Sequence, residues 1–446
     1  MKKAVENKKE TEVWDVVVIG GGPAGLMAAS TAAESGARVL VIEKNDALGK
    51  KLLISGGGRC NMTNAEPDKR IFISKFGTKG NFLFSPFSVF GTSDTIRFFE
   101  KLGVKTKVEA GFRVFPASDS SADILNALTT FAKKNGVEFH LSDSVDGLKP
   151  GGLVLQRSKA SGKGESSGRI ESIILESGEE IKAKNFILAT GGKSHPETGS
   201  TGDGFKWLKE IGHTIVESNP SLVPIQTKES WVADLAGITL ESVGVSVWQN
   251  GAKILNKKGR ILFTHTGLSG PTIINMSKVI GDLLTGGEYE GSQEVKVLID
   301  FFPGIGLDVL HKKILELFEN NPTKKMKNLV IPEIPEKVYV KMLELLGIDG
   351  DWNVNEVRRP ERIAFVDTCK KFELTVEKLL GYEKAIISSG GVDLNEVDFK
   401  EMKSKLYENL FLIGDILDFD RPSGGYSLQL CWTTGYIAGK SASKNN

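Results

Sequence analysis

The sequence has few of the residues that build metal centres or disulfide frameworks. Its 446 residues include three cysteines, Cys60, Cys369 and Cys431, and five histidines. The cysteines lie far apart without metal-ligand spacing, and the histidines form no H-x-x-x-H pair. We therefore expect neither a metal site nor a disulfide framework. So little cysteine favours a reducing, cytoplasmic compartment.

The sequence also has little net charge and no long hydrophobic run. The formal net charge is +1, which argues against a protein whose whole surface attracts nucleic acid or another acidic partner. A local basic face is still possible. No apolar run is long enough to cross a membrane, so no membrane partner is expected. The polar residues 1–12 predict a disordered tail.

What the sequence does contain is a glycine-rich turn between two apolar strands. The run 16–19 predicts a buried strand of a parallel sheet. Gly20, Gly22 and Gly25 follow with G-x-G-x-x-G spacing, which permits a tight turn, the approach of a pyrophosphate and close packing of helix on strand. Glu43 ends the second predicted strand, where a carboxylate can accept hydrogen bonds from ribose hydroxyls. The order of these features predicts dinucleotide binding.

A second glycine-rich stretch follows between Lys51 and Asn64. It reads Lys-Leu-Leu-Ile-Ser-Gly-Gly-Gly-Arg-Cys-Asn-Met-Thr-Asn. Glycine N–H groups can approach an anion or a ring, and Arg59 could pair with a phosphate through two hydrogen bonds. We interpret the stretch as a loop that covers the cofactor, and the alternative is a plain flexible linker.

Two further apolar runs that end in glycine turns, 185–192 and 409–415, predict a nucleotide-binding sheet built from both ends of the chain. The fold class is therefore α/β, with a Rossmann-like domain split by an insertion. Short β-rich runs predict a barrel-like inserted domain, and leucines at helical spacing predict a small helical subdomain. The predicted boundaries are 13–220 and 390–446 for the nucleotide-binding domain, 221–305 and 362–389 for the β-rich domain, and 306–361 for the helical subdomain.

These motifs together resemble a family of bacterial FAD-dependent oxidoreductases, the aminoacetone-oxidase-like or bile-acid-reductase-like flavoproteins. That family is related in fold to glutathione reductase and its two dinucleotide-binding domains. The resemblance implies FAD at the glycine turn and covers nearly the whole chain after the tail. The matching stretches are 20–25, 51–64, 189–192, 201–204, 221–224, 262–271 and 424–429.

The resemblance also implies roles for individual residues. Glu43 would hold the adenosine ribose, Val145 would contact the adenine end, and Asp415 would approach the ribityl chain. Residues 424–428 would lie at the pyrimidine end of the flavin. The predicted cofactor-binding residues are Gly20, Gly22, Pro23, Ala24, Gly25, Glu43, Lys44, Lys51, Ser55, Gly57, Gly58, Arg59, Cys60, Asn61, Val145, Ala189, Thr190, Gly191, Gly192, Gly414, Asp415, Gly424, Gly425, Tyr426, Ser427 and Leu428.

The sequence departs from the family pattern at two of these positions and at a third one nearby. Asp415 stands where many members have Glu, and Ser427 stands where Asn is common. Arg421 replaces a small residue and could mean a different substrate. We predict His265 and Tyr426 as catalytic, and Arg113, His265 and Arg421 as substrate contacts. The alternatives are a structural histidine, a tyrosine used in packing and a surface arginine.

Three functions follow as hypotheses. The first is an FAD-dependent oxidoreductase that reduces an activated C=C bond with NAD(P)H, or oxidises a small amine. Because no second complete dinucleotide-binding unit is visible, NAD(P)H is expected to bind only transiently. The second is a reductase of uridine in ribosomal RNA, an activity that some members of the family resemble. The basic stretches 257–260, 324–327 and 358–362 could then contact the phosphates of the RNA. The third is a non-catalytic FAD-binding redox sensor.

Overall fold

The computed structural model describes residues 13–151, 168–284, 294–381 and 387–444. The predicted tail, residues 1–12, lies outside this part of the chain. Contacts between Cα atoms divide the chain into two compact units. The first unit runs as far as Asn219 and resumes at Ile387, and the second comprises Pro220–Ile386. Each unit has its own apolar core.

The described strands are β1 Trp14–Ile19, β2 Val39–Glu43, β3 Thr63–Asn64, β4 Thr106–Glu109, β5 Arg113–Pro116, β6 Glu138–Leu141, β7 Val145–Gly151, β8 Arg169–Leu175, β9 Glu180–Leu188, β10 Ile215–Ser221, β11 Ile225–Thr227, β12 Thr239–Gln249, β13 Ala252–Phe263, β14 Gly267–Ser269, β15 Val295–Asp300, β16 Phe372–Leu379, β17 Ile387–Val392, β18 Val397–Asp398, β19 Lys403–Ser404 and β20 Leu410–Leu412. The α-helices are α1 Pro23–Glu34, α2 Lys50–Ile54, α3 Lys69–Ser74, α4 Pro86–Val89, α5 Thr92–Lys101, α6 Ser121–Lys134, α7 Asp203–Glu210, α8 Pro271–Ile274, α9 Ser277–Leu284, α10 Leu307–Glu319, α11 Glu336–Leu345, α12 Arg359–Lys370 and α13 Tyr426–Ser443.

The first unit is built on one sheet with the order β18-β19-β20-β9-β1-β2-β6, to which β7 and β8 add beside β9. Strand β1 lies inside the sheet, parallel to both β2 and β9, and Val18 pairs with Val41 and Ile187. Val16, Val17 and Val18 are fully buried, as expected for a parallel strand covered on both faces. Strand β20, from the other end of the chain, pairs with β9. The Rossmann-like sheet built from both ends of the chain is thus confirmed.

Two helices from opposite ends of the chain pack closely in the first unit. On α13, a Cβ atom at Gly435 would lie 2.5 Å from the carbonyl oxygen of Ala24, and one at Gly439 would lie 2.4 Å from that of Ala28. Only glycine allows the α13 backbone to approach α1 so closely. This contact holds α1, which begins at the glycine turn.

The second unit contains a closed antiparallel barrel with the strand order β11-β14-β13-β12-β15-β16. Its core includes the fully buried cross-strand pairs Val245–Ile299 and Val247–Val297. Helices α10, α11 and α12 pack around Phe365, whose ring lies 6.2 Å from that of Phe318. The inserted barrel and the helical part predicted from the sequence are therefore both present.

Candidate functional site

A cleft of about 320 Å³ opens in the first unit where the parallel strands β1, β2 and β9 end. Ligands of open α/β sheets bind at these carboxyl ends of the strands. Several predicted residues line it, and they are Gly20, Gly22, Pro23, Ala24, Glu43, Lys44, Lys51, Val145, Ala189, Thr190, Gly191 and Asp415. The cleft is also lined by residues that the sequence prediction missed, among them Asn45, Ser144, Thr198, Ser200, Thr201, Asp203, Lys206, Trp207, Ile413 and Cys431.

The three glycines of the first turn differ in the space around them. A Cβ atom at Gly20, where φ is +107°, would lie 2.6 Å from the carbonyl oxygen of Ala189, and one at Gly25 would lie 1.9 Å from that of Gly20. At Gly22 no atom lies within 4 Å of that position. No side chain caps the start of α1 at Gly22, so the first-turn N–H groups and the positive end of the helix dipole can receive an anion. This arrangement fits the pyrophosphate of a dinucleotide.

Glu43 lies at the edge of the same cleft and is buried. One carboxylate oxygen accepts a 2.7 Å hydrogen bond from the N–H of Gly21, and the other accepts one of 2.9 Å from the N–H of Asn45. These bonds fix the carboxylate beside the glycine turn, where it fits the role of a ribose acceptor.

Lys44 attaches the loop that precedes α7 to this edge of the cleft. Its Nζ donates to Oγ1 of Thr201 at 2.5 Å and to the carboxylate of Asp203 at 2.8 Å. Desolvation alone would raise the pKa of Asp203, but the hydrogen bonds from Lys44 and Thr201 lower it overall. The signal for these two residues was present in the sequence as the stretch Thr201-Gly-Asp-Gly204.

Three charged residues, two of which line the cleft, form a chain. Asp415 accepts a hydrogen bond from Nη2 of Arg421 and lies 3.5 Å from Nζ of Lys51, which donates to Ser194 at 2.6 Å. Desolvation would raise the pKa of Asp415, but Arg421 and Lys51 hold it below its usual value. Arg421 itself is buried and also donates to the carbonyl oxygen of Phe419 and to Ser427. The structure thus places Arg421 in an internal network, and its predicted contact with substrate stays a prediction.

The glycine-rich loop after α2 is joined to the loop before α13. Gly56, Gly57 and Gly58 all have positive φ. With its amide oriented to suit its neighbours, Asn61 accepts a 3.0 Å hydrogen bond from the N–H of Gly425. A Cβ atom at Gly425 would lie 2.3 Å from the carbonyl oxygen of Thr63, so these two predicted cofactor loops meet through this hydrogen bond and a close approach of their backbones.

Like Arg421, the two other predicted arginines are not among the residues that line the cleft. Arg59 pairs with Glu109 and Asp119 and stacks on the ring of Phe115 at 4.2 Å. Arg113 donates to the carbonyl oxygen of Ala110 and is partly exposed. For Arg59 to bind a phosphate, it would have to exchange its carboxylate partners, so this role stays a prediction.

The remaining predicted residues occupy varied surroundings. Burial raises the pKa of the Cys60 thiol to about 12, which disfavours a reactive thiolate. The ring of Tyr426 packs against Phe72 at 4.7 Å, and burial raises its pKa. His265 lies exposed in the second unit, in the turn between β13 and β14. The other predicted residues outside the cleft lining are Gly25, Ser55, Gly57, Gly58, Asn61, Gly192, Gly414, Gly424, Gly425, Ser427 and Leu428.

The glycine turn, the buried acid and the strand-end cleft define a dinucleotide-binding protein of the Rossmann type, here joined to an inserted barrel. The chain matches the family described as the HI0933-like protein Rossmann domain over residues 14–441. It therefore belongs to this family of FAD-binding oxidoreductases, which confirms the predicted FAD and the enzyme class.

Full-length relatives support this assignment. The chain is 30% identical over 430 residues to a 3-dehydro-bile acid delta(4,6)-reductase of Clostridium scindens, covering 96% of this chain and 98% of the relative. It is 27% identical over 428 residues to a ribosomal RNA dihydrouridine synthase of Escherichia coli, covering 95% and 97%.

Solved structures share the fold at low identity. A 3-ketosteroid-delta4-(5alpha)-dehydrogenase of Rhodococcus jostii superposes with a TM-score of 0.51 at 15% identity, covering 98% of this chain and 99% of that one. A 3-ketosteroid delta1-dehydrogenase of Sterolibacterium denitrificans gives 0.53 at 13% identity, covering 98% and 100%. No described helix combines the length and hydropathy needed to cross a bilayer. Within the same residues no group of three or more metal-ligating side chains comes together.

Proposed function

We propose that this oxidoreductase uses NAD(P)H to reduce an activated C=C bond of a small molecule at FAD bound in the cleft. The observation that carries the proposal is the full-length similarity to a bile-acid reductase, together with a cleft that fits a dinucleotide. One relative is named as a delta(4,6)-reductase and the other as a synthase of dihydrouridine. Both names fit one reaction, the saturation of a C=C bond that is conjugated with a carbonyl. We therefore favour this reaction over the oxidation of a small amine.

Residues of the cleft would hold FAD along its length. The open space at Gly22 and the first turn of α1 would receive the pyrophosphate, and Glu43 would bind the adenosine ribose. Asp415, kept ionised by Arg421 and Lys51, would accept a hydrogen bond from a ribityl hydroxyl. Bound FAD would supply hydride transfer, while the protein supplies position, electrostatics and protons.

The test is an anaerobic experiment in two halves. NADH and then NADPH are titrated into the FAD-loaded protein, and bleaching of the flavin absorbance is expected with at least one of them. The reduced protein is then mixed with 2-cyclohexenone or a 4,6-dien-3-one steroid, and the oxidised protein is mixed separately with a primary amine. Return of the flavin absorbance with an enone supports the proposal. A flavin that neither nicotinamide bleaches but that an amine does would establish amine oxidation instead.

The second candidate function is reduction of uridine in ribosomal RNA, and one feature of the second unit favours it. Helices α10 and α12 form a groove of about 340 Å³ lined by His311, Lys312, Arg359 and Arg362 together with apolar residues. No acidic side chain lines the groove, and among the described residues Lys312, Arg359 and Arg362 have no carboxylate within 4 Å. Such a groove suits the phosphates of RNA.

The other predicted basic stretches are less suited to this role. Lys325 and Lys327 both contact Asp351, through its carbonyl oxygen and its carboxylate respectively. Arg260 lies 3.6 Å from Glu241, and Lys257 donates to the carbonyl oxygen of Asn275 at 3.1 Å. The RNA hypothesis therefore depends chiefly on the groove between α10 and α12.

A further inference from the structure

Two loops of the first unit face each other across the carboxyl end of β1. One follows β2 and carries Lys44, Asn45 and Lys51, and the other follows β9 and leads to α7. Both loops line the cleft. Because β1 lies between β2 and β9 in the sheet, a bond between the two loops spans the end of β1. The glycine turn begins there, and a dinucleotide places its pyrophosphate at that turn.

The segment 194–203, which we call the strap, is bonded to the opposite loop at its start and in its middle. Nζ of Lys51 donates to Oγ of Ser194 at 2.6 Å. Nδ2 of Asn45 donates to the carbonyl oxygen of Thr198 at 3.0 Å. In both bonds the donor is a side chain of the loop that follows β2, so that loop holds the strap.

The end of the strap is bonded to Lys44, the residue that follows β2. Its Nζ donates to Oγ1 of Thr201 at 2.5 Å and to the carboxylate of Asp203 at 2.8 Å. The side chains of Lys44 and Asp203 are 29% and 45% exposed, and an ion pair so exposed contributes little by itself. Each contact can therefore break and re-form readily, while the contacts of the three side chains together keep the strap closed over the glycine turn.

The strap can open without disturbing the sheet. Within it, the N–H groups of Thr198 and Thr201 bond to carbonyl oxygens three and two residues earlier, so these bonds move with the strap. Gly191 precedes the strap with φ +74°, and Gly202 lies near its end with φ +85°. Hinges are a few loop positions that absorb a change of φ and ψ, and glycine does so without steric cost.

We propose that Lys44, Asn45 and Lys51 are positioning residues that hold the strap closed over bound FAD and so control how fast FAD enters and leaves. Both lysines are predicted from the sequence to contact the cofactor, but in the structure their amino groups are bonded to the strap. The inference rests on FAD bound in the cleft, as in the proposed function, and does not depend on the reaction that FAD then performs.

Holding the strap and binding FAD directly predict opposite effects of one change. If FAD enters and leaves only while the strap is open, the association and release rates both scale with the open fraction. Removing a hydrogen-bond acceptor from the strap should then accelerate both, and the affinity should change less than either rate. If instead Lys44 and Lys51 bind the phosphates of FAD themselves, the same change frees them for that contact. Release should then slow, and the affinity should rise.

The test variant is Ser194→Ala/Asp203→Asn, which removes two acceptors of the strap and leaves both lysines in place. Ser194 is not among the described residues that line the cleft, so the loss of its hydroxyl tests the bond to Lys51. Flavin fluorescence is followed on mixing the apoprotein with FAD and on diluting the FAD-loaded protein. We expect both rate constants to rise about tenfold, the combined effect of two weak contacts.

Two variants of Lys44 give an independent readout. Lys44→Met removes a cation that attracts the anionic FAD, so a faster association in this variant cannot come from charge and would result from an opened strap. We expect association and release both to accelerate in Lys44→Met. Lys44→Arg can still bond to Thr201 and Asp203 and should restore rates close to those of the wild type.

Glu180→Gln is the matched control, because it removes a partly exposed ion pair with Lys149 at 2.8 Å in the same unit, outside the cleft lining. Its rates should equal those of the wild type. Unchanged rates in Ser194→Ala/Asp203→Asn, slower release, or faster release with unchanged association would each overturn the inference. If both rates rise as expected but no enone reoxidises the reduced protein, the inference stands and only the proposed reaction is wrong.

Discussion

At the scale of single residues, the first glycine turn separates a requirement of folding from a requirement of binding. Gly25→Ala would force a Cβ atom to within 1.9 Å of a backbone oxygen, whereas Gly22→Ala meets no atom within 4 Å. We expect Gly25→Ala to lower stability by about 3 kcal/mol, as in overpacked sites. Gly22→Ala should leave the stability of the apoprotein nearly unchanged but weaken FAD binding at least tenfold, since its methyl group would occupy the space for the pyrophosphate.

Thermal unfolding of the apoproteins and titration with FAD would measure these two effects. Equal FAD affinity in Gly22→Ala and the wild type would show that the pyrophosphate does not lie at this turn.

The buried pair of Asp415 and Arg421 gives a prediction on stability and pH. Asp415→Asn keeps the volume of the side chain but leaves the guanidinium of Arg421 buried without its carboxylate, which we expect to cost about 3 kcal/mol. Because the folded pKa of Asp415 is lowered, its contribution is fully present above the unfolded pKa of about 3.9 and is lost as the pH falls through the folded value.

Urea unfolding at several pH values would check this prediction. The difference in stability between the wild type and Asp415→Asn should be constant near neutral pH and shrink below about pH 4. Asp203→Asn is the control, because that carboxylate is about half exposed and pairs with Lys44, and it should cost about 1 kcal/mol at most. A difference that grew on acidification would contradict the assignment.

The residue scale also shows where sequence reasoning stops. Glu43, Gly20 and Gly22 could be placed in the cleft from their spacing, and Gly25 against the turn, since that motif is local. The partners of Arg59 could not, because Glu109 and Asp119 lie 50 and 60 residues further along the chain. Arg421 was noticed as a departure from the family pattern, but its burial against Asp415 depends on tertiary packing.

At the scale of elements, hydrophobic patterns predicted the central strands, the barrel and the main helices because burial imposes those patterns. The contact between α1 and α13 was not predicted, since α1 and α13 are separated by most of the chain. That contact depends on Gly435 and Gly439, which look like poor choices for the interior of a helix. Their absence of a side chain is what allows α13 to lie against the helix that begins at the cofactor turn.

Gly439→Ala tests this contact with a clear sign. In the interior of a helix, alanine is more favourable than glycine by about 1 kcal/mol. If Gly439 had no packing role, its replacement by alanine would therefore stabilise the protein. Because the new Cβ atom would lie 2.4 Å from the carbonyl oxygen of Ala28, we expect destabilisation by about 1–3 kcal/mol instead. Lys440→Ala on the same helix removes a partly exposed ion pair with Glu34 of α1 at 3.4 Å and should cost about 1 kcal/mol at most. The stabilities of both variants are measured by thermal unfolding and compared with that of the wild type. A Gly439→Ala variant more stable than the wild type would contradict the packing argument.

At the scale of the whole molecule, the net charge of +1 means that binding of RNA must depend on a local basic surface rather than on the overall field. The groove between α10 and α12 supplies one. If ribosomal RNA is the substrate, its binding should weaken steeply with salt, and each lost phosphate contact should reduce the slope of log K against log salt by about 0.7–0.9. We expect the double variant Arg359→Gln/Arg362→Gln to reduce that slope by about 1.5.

Filter binding of ribosomal RNA fragments between low and high salt would measure the slope. Lys313→Gln is the control, because Lys313 lies on α10 but is paired with Glu333 at 3.0 Å, so its charge is already neutralised and the slope should not change. An unchanged slope in the double variant would remove this groove from RNA binding. Absence of binding even at low salt would rule out ribosomal RNA as the substrate, because the phosphate contacts are strongest there.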